Sequence, residues 1–279
     1  MLISSLQLVS QEKIRQKPMG SLFINESGTA NSKVILFLHG SGAESERWKE
    51  HFAQLSDKFH CIAPDLPGHG KSNQLEWTSL DDVAESLANL IEEKGKGPVH
   101  VVGLSLGGSL IYRLLALHPE LIDRALIDGA SAVPIKGSFG VIMGVTMVSP
   151  MLHWDLVIKV MAKSLDVKDE GFEDFRQNMK TVSRRSFRRA MTQANKARVD
   201  LENCQIKSPV FFVSGGNESA TMHQSHKILS GKIPGSGYAW YPGKGHAWMV
   251  SDSGTHIQLV RYWLLNSTFP EALVINPLQ

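Results

Sequence analysis

The strongest constraint on the fold of this chain is a glycine-flanked serine at residues 103–107, which read Gly-Leu-Ser-Leu-Gly. An apolar run at residues 99–102 precedes this motif, and a helix-like stretch at residues 108–116 follows it. Small residues on both sides allow the backbone to turn sharply between a strand and a helix, which exposes the serine hydroxyl. The pattern therefore predicts a strand, a tight turn and a helix, with Ser105 as the candidate nucleophile.

A serine hydroxyl is a poor nucleophile unless a base and an orienting acid stand beside it. The apolar run at residues 238–241 leads into a glycine-containing loop that carries His246, the candidate base. The buried-strand pattern at residues 209–213 ends shortly before Glu218, the candidate acid. The chain thus supplies both groups in loops that follow predicted strands.

Acyl chemistry at a serine also needs donors for the oxyanion that develops on the substrate carbonyl. The continuous apolar run at residues 34–38 opens into His-Gly-Ser-Gly at residues 39–42. A glycine-rich strand exit can aim a backbone N–H at such an oxygen, and the residue after the nucleophile supplies a second donor. We therefore predict the N–H groups of Ser41 and Leu106 as the oxyanion hole.

The chain order Ser105, Glu218, His246, each just after a strand, resembles the α/β-hydrolase superfamily. The resemblance covers nearly the whole chain and includes Pro-Asp-Leu-Pro-Gly-His-Gly-Lys-Ser at residues 64–72, which looks like a loop that shapes the pocket entrance in that family. It implies an α/β fold, with a mostly parallel central sheet, helices on both faces and an inserted helical cap.

The acid differs from the commonest family pattern, because a glutamate stands where an aspartate is more usual. Asp128 is the alternative acid, since it ends the apolar run at residues 125–127 and some members of the family place the acid after that strand. Both side chains ionise well below neutral pH and either can hold an imidazole in the required tautomer. The loop position of Glu218 favours it over Asp128.

The order of apolar patterns predicts the domain organisation. Strand and helix patterns alternate up to residue 128 and again from residue 208, which indicates a parallel sheet covered by helices. Between residues 128 and 208 this alternation stops, and the pattern predicts helices without strands. We expect the first part of the core at residues 1–130, a helical cap at residues 131–205 and the second part of the core at residues 206–279.

Within the expected cap, residues 139–152 are rich in methionine, valine and glycine. Methionine is pliable and suits irregular apolar pockets, so Met143 and Met147 are predicted to line an acyl-binding pocket. Packing between the cap and the core explains the same residues equally well. The stretch is shorter than the roughly 18 to 20 residues that a membrane span requires, so no span is predicted.

Composition excludes several classes of function. A net charge of +2 and the lack of a basic tail offer no case for nucleic-acid binding. The only two cysteines, Cys61 and Cys204, form no metal-binding pattern and no disulfide framework, so we expect neither a metal nor another cofactor. Residues 1–9 lack the basic start of a signal peptide. Buried thiols without a signal peptide indicate a cytoplasmic protein.

These residues predict a cofactor-independent serine hydrolase that acts on a small acyl substrate, as a carboxylic ester, thioester or lactone. A carbon–carbon bond hydrolase or a perhydrolase-like enzyme resembles the chain equally well. A receptor that retains the triad but signals through a protein partner is a further alternative of a different class. The sequence makes no prediction of the oligomeric state.

Overall fold

The computed structural model describes residues 20–95, 97–133, 137–197, 199 and 206–276. The N-terminal segment for which no signal peptide is predicted, and Cys204, lie outside the described residues. Cys61 is a buried free thiol. Among the described residues, no helix has both the length and the apolar character needed to cross a bilayer.

The described chain alternates strands and helices. The strands are β1 (Ile24–Ser27), β2 (Val34–Leu38), β3 (His60–Pro64), β4 (Val99–Leu104), β5 (Ile122–Asp128), β6 (Val210–Gly215), β7 (Gly237–Tyr241) and β8 (Val274–Asn276). The α-helices are α1 (Lys49–Leu55), α2 (Leu80–Lys94), α3 (Leu106–Leu117), α4 (Ser138–Val148), α5 (Asp155–Ser164), α6 (Asp169–Thr181), α7 (Arg184–Lys196), α8 (Ala220–Lys232), α9 (Trp248–Ser251) and α10 (Ser253–Leu265).

These strands form one sheet in the order β1-β3-β2-β4-β5-β6-β7-β8. All pairings from β3 to β7 are parallel, and β1 and β8 run antiparallel at the two edges. Every residue of β2, β4 and β6 is buried, as expected for parallel strands covered on both faces. The predicted fold class, an α/β fold with a mostly parallel sheet, is confirmed.

Alternate residues of the central strands enter two separate apolar cores. Leu36 packs in the core that includes Leu110 of α3, whereas its neighbour Phe37 packs in the core that includes Leu259 of α10. Successive side chains of a strand point to opposite faces of the sheet, so each face is covered by its own layer of helices. The carboxyl ends of the parallel strands consequently lie along one edge, where the site is built.

Helix α2 shows how local sequence sets an element on this frame. The Ser79 hydroxyl accepts a 3.0 Å hydrogen bond from the backbone N–H of Asp82, which caps the first turn. Lys94 lies in the last turn, where a cation complements the helix dipole. The side chain of Leu87 is fully buried against the sheet.

Helices α4 to α7 lie between β5 and β6, and we call residues 137–197 the helical segment. The described part of this connection contains no strand. A third apolar core lies wholly inside it, formed by Leu152, Ile158, Met179, Val182 and Phe187. The Ser183 N–H donates to the carbonyl of Gly68 at 2.8 Å, which joins the start of α7 to the loop after β3. We call the described residues before and after the helical segment, which form the sheet and the helices on its two faces, the sheet domain. The helical segment thus has its own core and a direct contact with the sheet domain.

Candidate active site

Ser105 lies on a strained turn between β4 and α3. Its backbone has φ 53° and ψ −108°, an unusual conformation for a residue with a side chain. A Cβ atom added to Gly103 would approach Gly107 to 2.7 Å, and one added to Gly107 would approach the carbonyl oxygen of Leu38 to 2.2 Å. Both flanking glycines are therefore required by close backbone contacts. The Ser105 N–H donates to the Asp128 carbonyl at 2.8 Å and anchors the turn to β5.

His246 and Glu218 meet across two neighbouring loops. Glu218 follows β6, His246 follows β7, and His246 Nδ1 lies 2.6 Å from Glu218 Oε1. The two loops are joined by hydrogen bonds from Gly216 N–H to the Tyr241 carbonyl (2.7 Å) and from Asn217 N–H to the Lys244 carbonyl (2.9 Å). The carboxylate accepts from Nδ1–H, which leaves Nε2 as the free basic nitrogen of the neutral imidazole.

The electrostatic surroundings of His246 favour its protonated form. Burial by itself lowers the pKa of this imidazole, but the charge and hydrogen bond of Glu218 outweigh that effect and raise the pKa above its usual 6.5. An imidazole with a raised pKa accepts a proton more readily. The pair is therefore arranged to remove a proton from a group placed at Nε2.

Gly129 provides the space for this pair. It directly follows β5, has φ +61°, and a Cβ atom added to it would lie 2.9 Å from His246 Cε1 and 3.3 Å from Glu218 Oε1. Its N–H donates to the Val213 carbonyl at 3.0 Å, and this hydrogen bond holds the backbone of Gly129 in place beside His246. No role for Gly129 follows from the sequence alone, because the contact joins loops that are distant along the chain.

Asp128, the alternative acid, does not contact His246. Its side chain is fully buried, and Oδ1 accepts a 3.1 Å hydrogen bond from Trp248 Nε1. Burial raises the pKa of Asp128 to about 8, although the hydrogen bond from Trp248 opposes that rise. Oδ2 has no hydrogen-bond partner among the described residues. Of the two carboxyl groups, the structure brings Glu218 to His246 and buries Asp128 in surroundings that raise its pKa.

The peptide before Ser41 is held in one orientation by His39. Its Nε2 accepts from the Leu66 N–H at 2.9 Å, so the proton of this neutral imidazole resides on Nδ1, which donates to the Gly40 carbonyl at 2.8 Å. The N–H of Ala43 donates to the same carbonyl at 3.2 Å. Because a peptide is planar and trans, the N–H of Ser41 points away from that carbonyl.

The second predicted donor, Leu106, is the first residue of α3. Its N–H therefore has no carbonyl partner within the helix and lies at the positive end of the helix dipole. Ser41 and Ser105 line one cavity, and a Cβ atom added to Gly40 would lie 3.5 Å from the Ser105 Cβ. The geometry gives both N–H groups the freedom to bind an oxygen next to Ser105. No positioning role for His39 follows from the sequence alone, although this residue heads the His-Gly-Ser-Gly motif.

The cavity beside Ser105 has a volume of about 390 Å³ and is bounded by both the sheet domain and the helical segment. It is mostly apolar. The described lining residues are Gly40, Ser41, Gly42, Ala43, Leu104, Ser105, Val141, Gly144, Val145, Val148, Met161, Ser164, Leu165, Val167, Phe175, Phe187, Met191, His246, Ala247 and Val250. Apart from His246, no titratable side chain is among them.

The structure places Met143 and Met147 outside this cavity, contrary to the expectation from the sequence. Their side chains are 45% and 68% exposed. The cavity face of α4 instead carries Val141, Val145 and Val148, which recur at the spacing of one helix face. At about 100° per residue, positions 143 and 147 fall on the opposite side of that helix.

Arginines of α7 form no part of the described cavity lining. Arg185 Nε lies 2.9 Å and Arg189 Nη1 3.2 Å from the carboxylate of Glu76. These cations therefore balance an acidic side chain on the surface. An anionic group bound at Ser105 would find no arginine or lysine among the described residues that line the cavity.

Comparison with known proteins agrees with this architecture. A family model described as alpha/beta hydrolase fold matches residues 33–166. An AB hydrolase superfamily protein of Gibberella zeae is 23% identical over 269 residues, which cover 90% of this chain and 87% of that protein.

Two solved structures share the fold at low sequence identity. A thermophilic esterase from Thermogutta terrifontis aligns with a TM-score of 0.75 at 19% identity, covering 88% of this chain and 93% of that one. The enol-lactonase from Burkholderia xenovorans LB400 aligns with a TM-score of 0.78 at 18% identity, covering 88% of this chain and 96% of that one. With its central parallel sheet and the serine turn after β4, this chain has the alpha/beta-hydrolase fold.

Proposed function

We propose that the protein is a serine hydrolase of carboxylic esters, thioesters or lactones, with Ser105, His246 and Glu218 as its catalytic triad. The observation that carries this proposal is the 2.6 Å contact between His246 Nδ1 and Glu218 Oε1 at a cavity that also holds Ser105 on its strained turn. A nucleophile, a base and an orienting acid within one site are the requirements of acyl transfer through serine.

Acylation begins when Nε2 of His246 takes the proton of the Ser105 hydroxyl as Oγ attacks the substrate carbonyl carbon. The carbonyl π electrons move to its oxygen, and the N–H groups of Ser41 and Leu106 stabilise that oxyanion. Glu218 stabilises the imidazolium through Nδ1–H. When the oxyanion collapses, the bond to the leaving alcohol or thiol breaks, and His246 returns the proton to that leaving group.

Deacylation repeats these steps with water as the nucleophile. His246 removes a proton from water, whose oxygen attacks the acyl carbon and forms a second oxyanion. Collapse of this intermediate releases the carboxylic acid and returns the proton to Ser105 Oγ. No electron acceptor or metal enters the balance of either half-reaction.

The substrate that fits best is an uncharged ester with an apolar acyl chain. The lining of the cavity is mostly aliphatic and aromatic, and such walls favour apolar ligands through the area that they remove from water. A substrate with carboxylates close to the scissile bond would need cationic partners, which the described lining lacks. This argues for ester hydrolysis over carbon–carbon bond cleavage of an anionic substrate.

We further propose that residues 131–205 act as a cap over Ser105. Helices α4 to α7 contribute Val145, Met161, Phe175 and Phe187 to the cavity, and the segment has its own small apolar core. In this arrangement the sheet domain provides the chemistry and the cap selects the acyl group.

A fluorophosphonate probe together with p-nitrophenyl esters of graded acyl length tests the proposal. The wild-type protein should be labelled once and should turn over esters repeatedly. Ser105→Ala should abolish labelling and lower ester turnover by about 10⁴-fold or more, the scale of loss seen for triad serines. Ser109→Ala, one turn further along α3, should retain both activities and serves as the matched control.

Two outcomes contradict the proposal. Stoichiometric labelling of the Ser105→Ala protein would assign the nucleophile to another residue. Labelling of the wild-type protein without repeated turnover of any ester, thioester or lactone in the panel would favour the receptor alternative over an enzyme.

A further inference from the structure

An apolar surface stands out on the outer side of the helical segment. It consists of Phe139, Met143, Met147, Trp154, Leu156 and Val160, with exposed fractions between 45% and 77%. The other exposed large apolar side chains among the described residues are Val141, on the cavity side of α4, and Leu117 and Val274, which lie outside the helical segment. Exposed apolar side chains usually occur singly, so a concentration of them indicates an interaction surface.

Helix α4 is apolar on both of its sides. It contains no charged residue. Val145 and Val148 face the cavity, whereas Phe139, Met143 and Met147 follow each other at four-residue intervals along the outer side. A helix that is hydrophobic all round is normally buried on all sides. The outer side of α4 is therefore apolar but exposed to solvent, with no other part of the described chain packed over it.

Two lysines accompany the exposed apolar residues of α5. Leu156, Lys159, Val160 and Lys163 recur at intervals of three and four residues and so share one exposed face. Lys159 and Lys163 take part in no ion pair among the described side chains. Apolar side chains flanked by lysines match an anionic lipid surface, where the apolar side chains enter the interface and the cations meet the headgroups.

The acidic residue of α5 does not cancel these two charges. Asp155 Oδ1 lies 2.8 Å from Arg176 Nε and 3.1 Å from Lys180 Nζ, so its charge is already balanced by two cations. Within α5, Asp155 therefore does not offset the charges of Lys159 and Lys163.

The cavity opens beside this surface. Val141 and Gly144 of α4 and Ser164 of α5 line the cavity and are also exposed to solvent. The exposed part of the cavity lining therefore belongs to the two helices that carry the apolar surface. An acyl chain that leaves a lipid layer at this surface would reach the cavity without crossing bulk water.

We propose that the apolar surface docks the protein onto an anionic phospholipid bilayer and sets the mouth of the cavity against the lipid. A second copy of the chain fits the surface less well, because a two-fold contact through this surface would place the lysines of both copies in one interface, where like charges repel. Trp154, 59% exposed, adds a side chain that favours the boundary between lipid and water. The proposal gives the hydrolase of the preceding subsection a membrane-derived acyl substrate, but the docking itself does not depend on Ser105.

Cosedimentation with phosphatidylcholine vesicles, with and without phosphatidylglycerol, tests the docking. The full-length protein should bind vesicles that contain phosphatidylglycerol more tightly than those that lack it. Phe139→Ser combined with Leu156→Ser should weaken binding at least about tenfold, since the variant loses two large apolar side chains that would be buried in lipid. Lys159→Ala and Lys163→Ala should each cost about fivefold on anionic vesicles only. Leu117→Ser is the matched apolar control and should bind like the wild-type protein.

The readouts separate this proposal from the hydrolase proposal. Ser105→Ala protein should bind vesicles normally, and the Phe139→Ser, Leu156→Ser protein should retain hydrolysis of a water-soluble short-chain ester, which also shows that it folds. The docking proposal is overturned if the wild-type protein ignores anionic vesicles, or if the double variant binds as well as the wild type. It is equally overturned if sedimentation velocity without lipid finds a dimer that the double variant dissociates.

Discussion

Replacing Asp128 by asparagine tests whether Glu218 or Asp128 is the acid that acts on His246. The same substitution gives a quantitative test of the raised pKa of Asp128. Asparagine has nearly the same shape, and its side-chain oxygen can still accept the hydrogen bond from Trp248 Nε1. The substitution therefore removes the ionisable proton with little change in packing. If Glu218 is the acid of the triad, ester turnover by this variant should remain close to that of the wild-type protein.

The expected change in stability follows from the pKa of Asp128, which burial raises to about 8 from its usual 3.8. Between these values the folded protein keeps a proton that the unfolded chain has released. The folded state then loses about 1.4 kcal/mol per pH unit relative to the unfolded state as the pH rises. The loss reaches about 4 kcal/mol at neutral pH. Asparagine does not titrate, so Asp128→Asn should be more stable than the wild type by an amount of that order at neutral pH, and equal to it at a pH below both values.

Urea unfolding of both proteins at several pH values between the two pKa values measures this difference directly. The free energy of unfolding of the variant minus that of the wild type should grow steadily with pH. A difference that stays constant with pH would show that Asp128 is ionised in the folded protein. A loss of turnover as large as that caused by Glu218→Gln would transfer the role of the acid to Asp128.

Three further substitutions test the site and the cavity. Glu218→Gln should lower turnover by about a thousandfold or more and move the rise of the pH–rate profile to lower pH, because it removes the charge that raises the pKa of the histidine. Gly129→Ala adds a methyl group 2.9 Å from the imidazole and should lower kcat at least about tenfold, whereas Gly137→Ala, at φ +81° with no atom within 4 Å, should not. Val145→Phe fills the cavity and should shorten the preferred acyl chain, whereas Met147→Phe on the exposed side of α4 should leave the chain-length profile unchanged.

Each of these has an outcome that contradicts it. An unchanged pH–rate profile in Glu218→Gln would show that the glutamate charge does not act on the base. Equal kcat in Gly129→Ala and wild type would mean that the His246 loop moves freely. Superimposable chain-length profiles for Val145→Phe and wild type would place the acyl chain elsewhere in the cavity.

Sequence patterns predicted the frame of the site well, because parallel strands buried on both faces read as continuous apolar runs. The runs before Ser105, Glu218 and His246 are β4, β6 and β7, and the parallel order of those strands brings their carboxyl ends to one edge. The start of α2 is likewise set by its own sequence, because the Ser79 hydroxyl accepts from a backbone N–H of the same helix.

Contacts between distant parts of the chain could not be predicted from local sequence patterns. The environment of Asp128 depends on Trp248, a partner 120 residues further along the chain. The sequence also could not predict which side of α4 faces the cavity, because the helix has no charged residue to mark its outer face. Local periodicity could therefore not tell Val145, which lines the cavity, from Met147, which is exposed.

The separate apolar core of the helical segment has a consequence for how this protein can diverge. Phe187 belongs to that core and also lines the cavity, whereas the turn at Ser105 is anchored to β5 through its own backbone. Mutations that repack the segment can alter the walls around an acyl chain while the strand ends keep their geometry. Descendants of this chain can thus acquire new substrates by changing one contiguous stretch of sequence, and retain the same reaction.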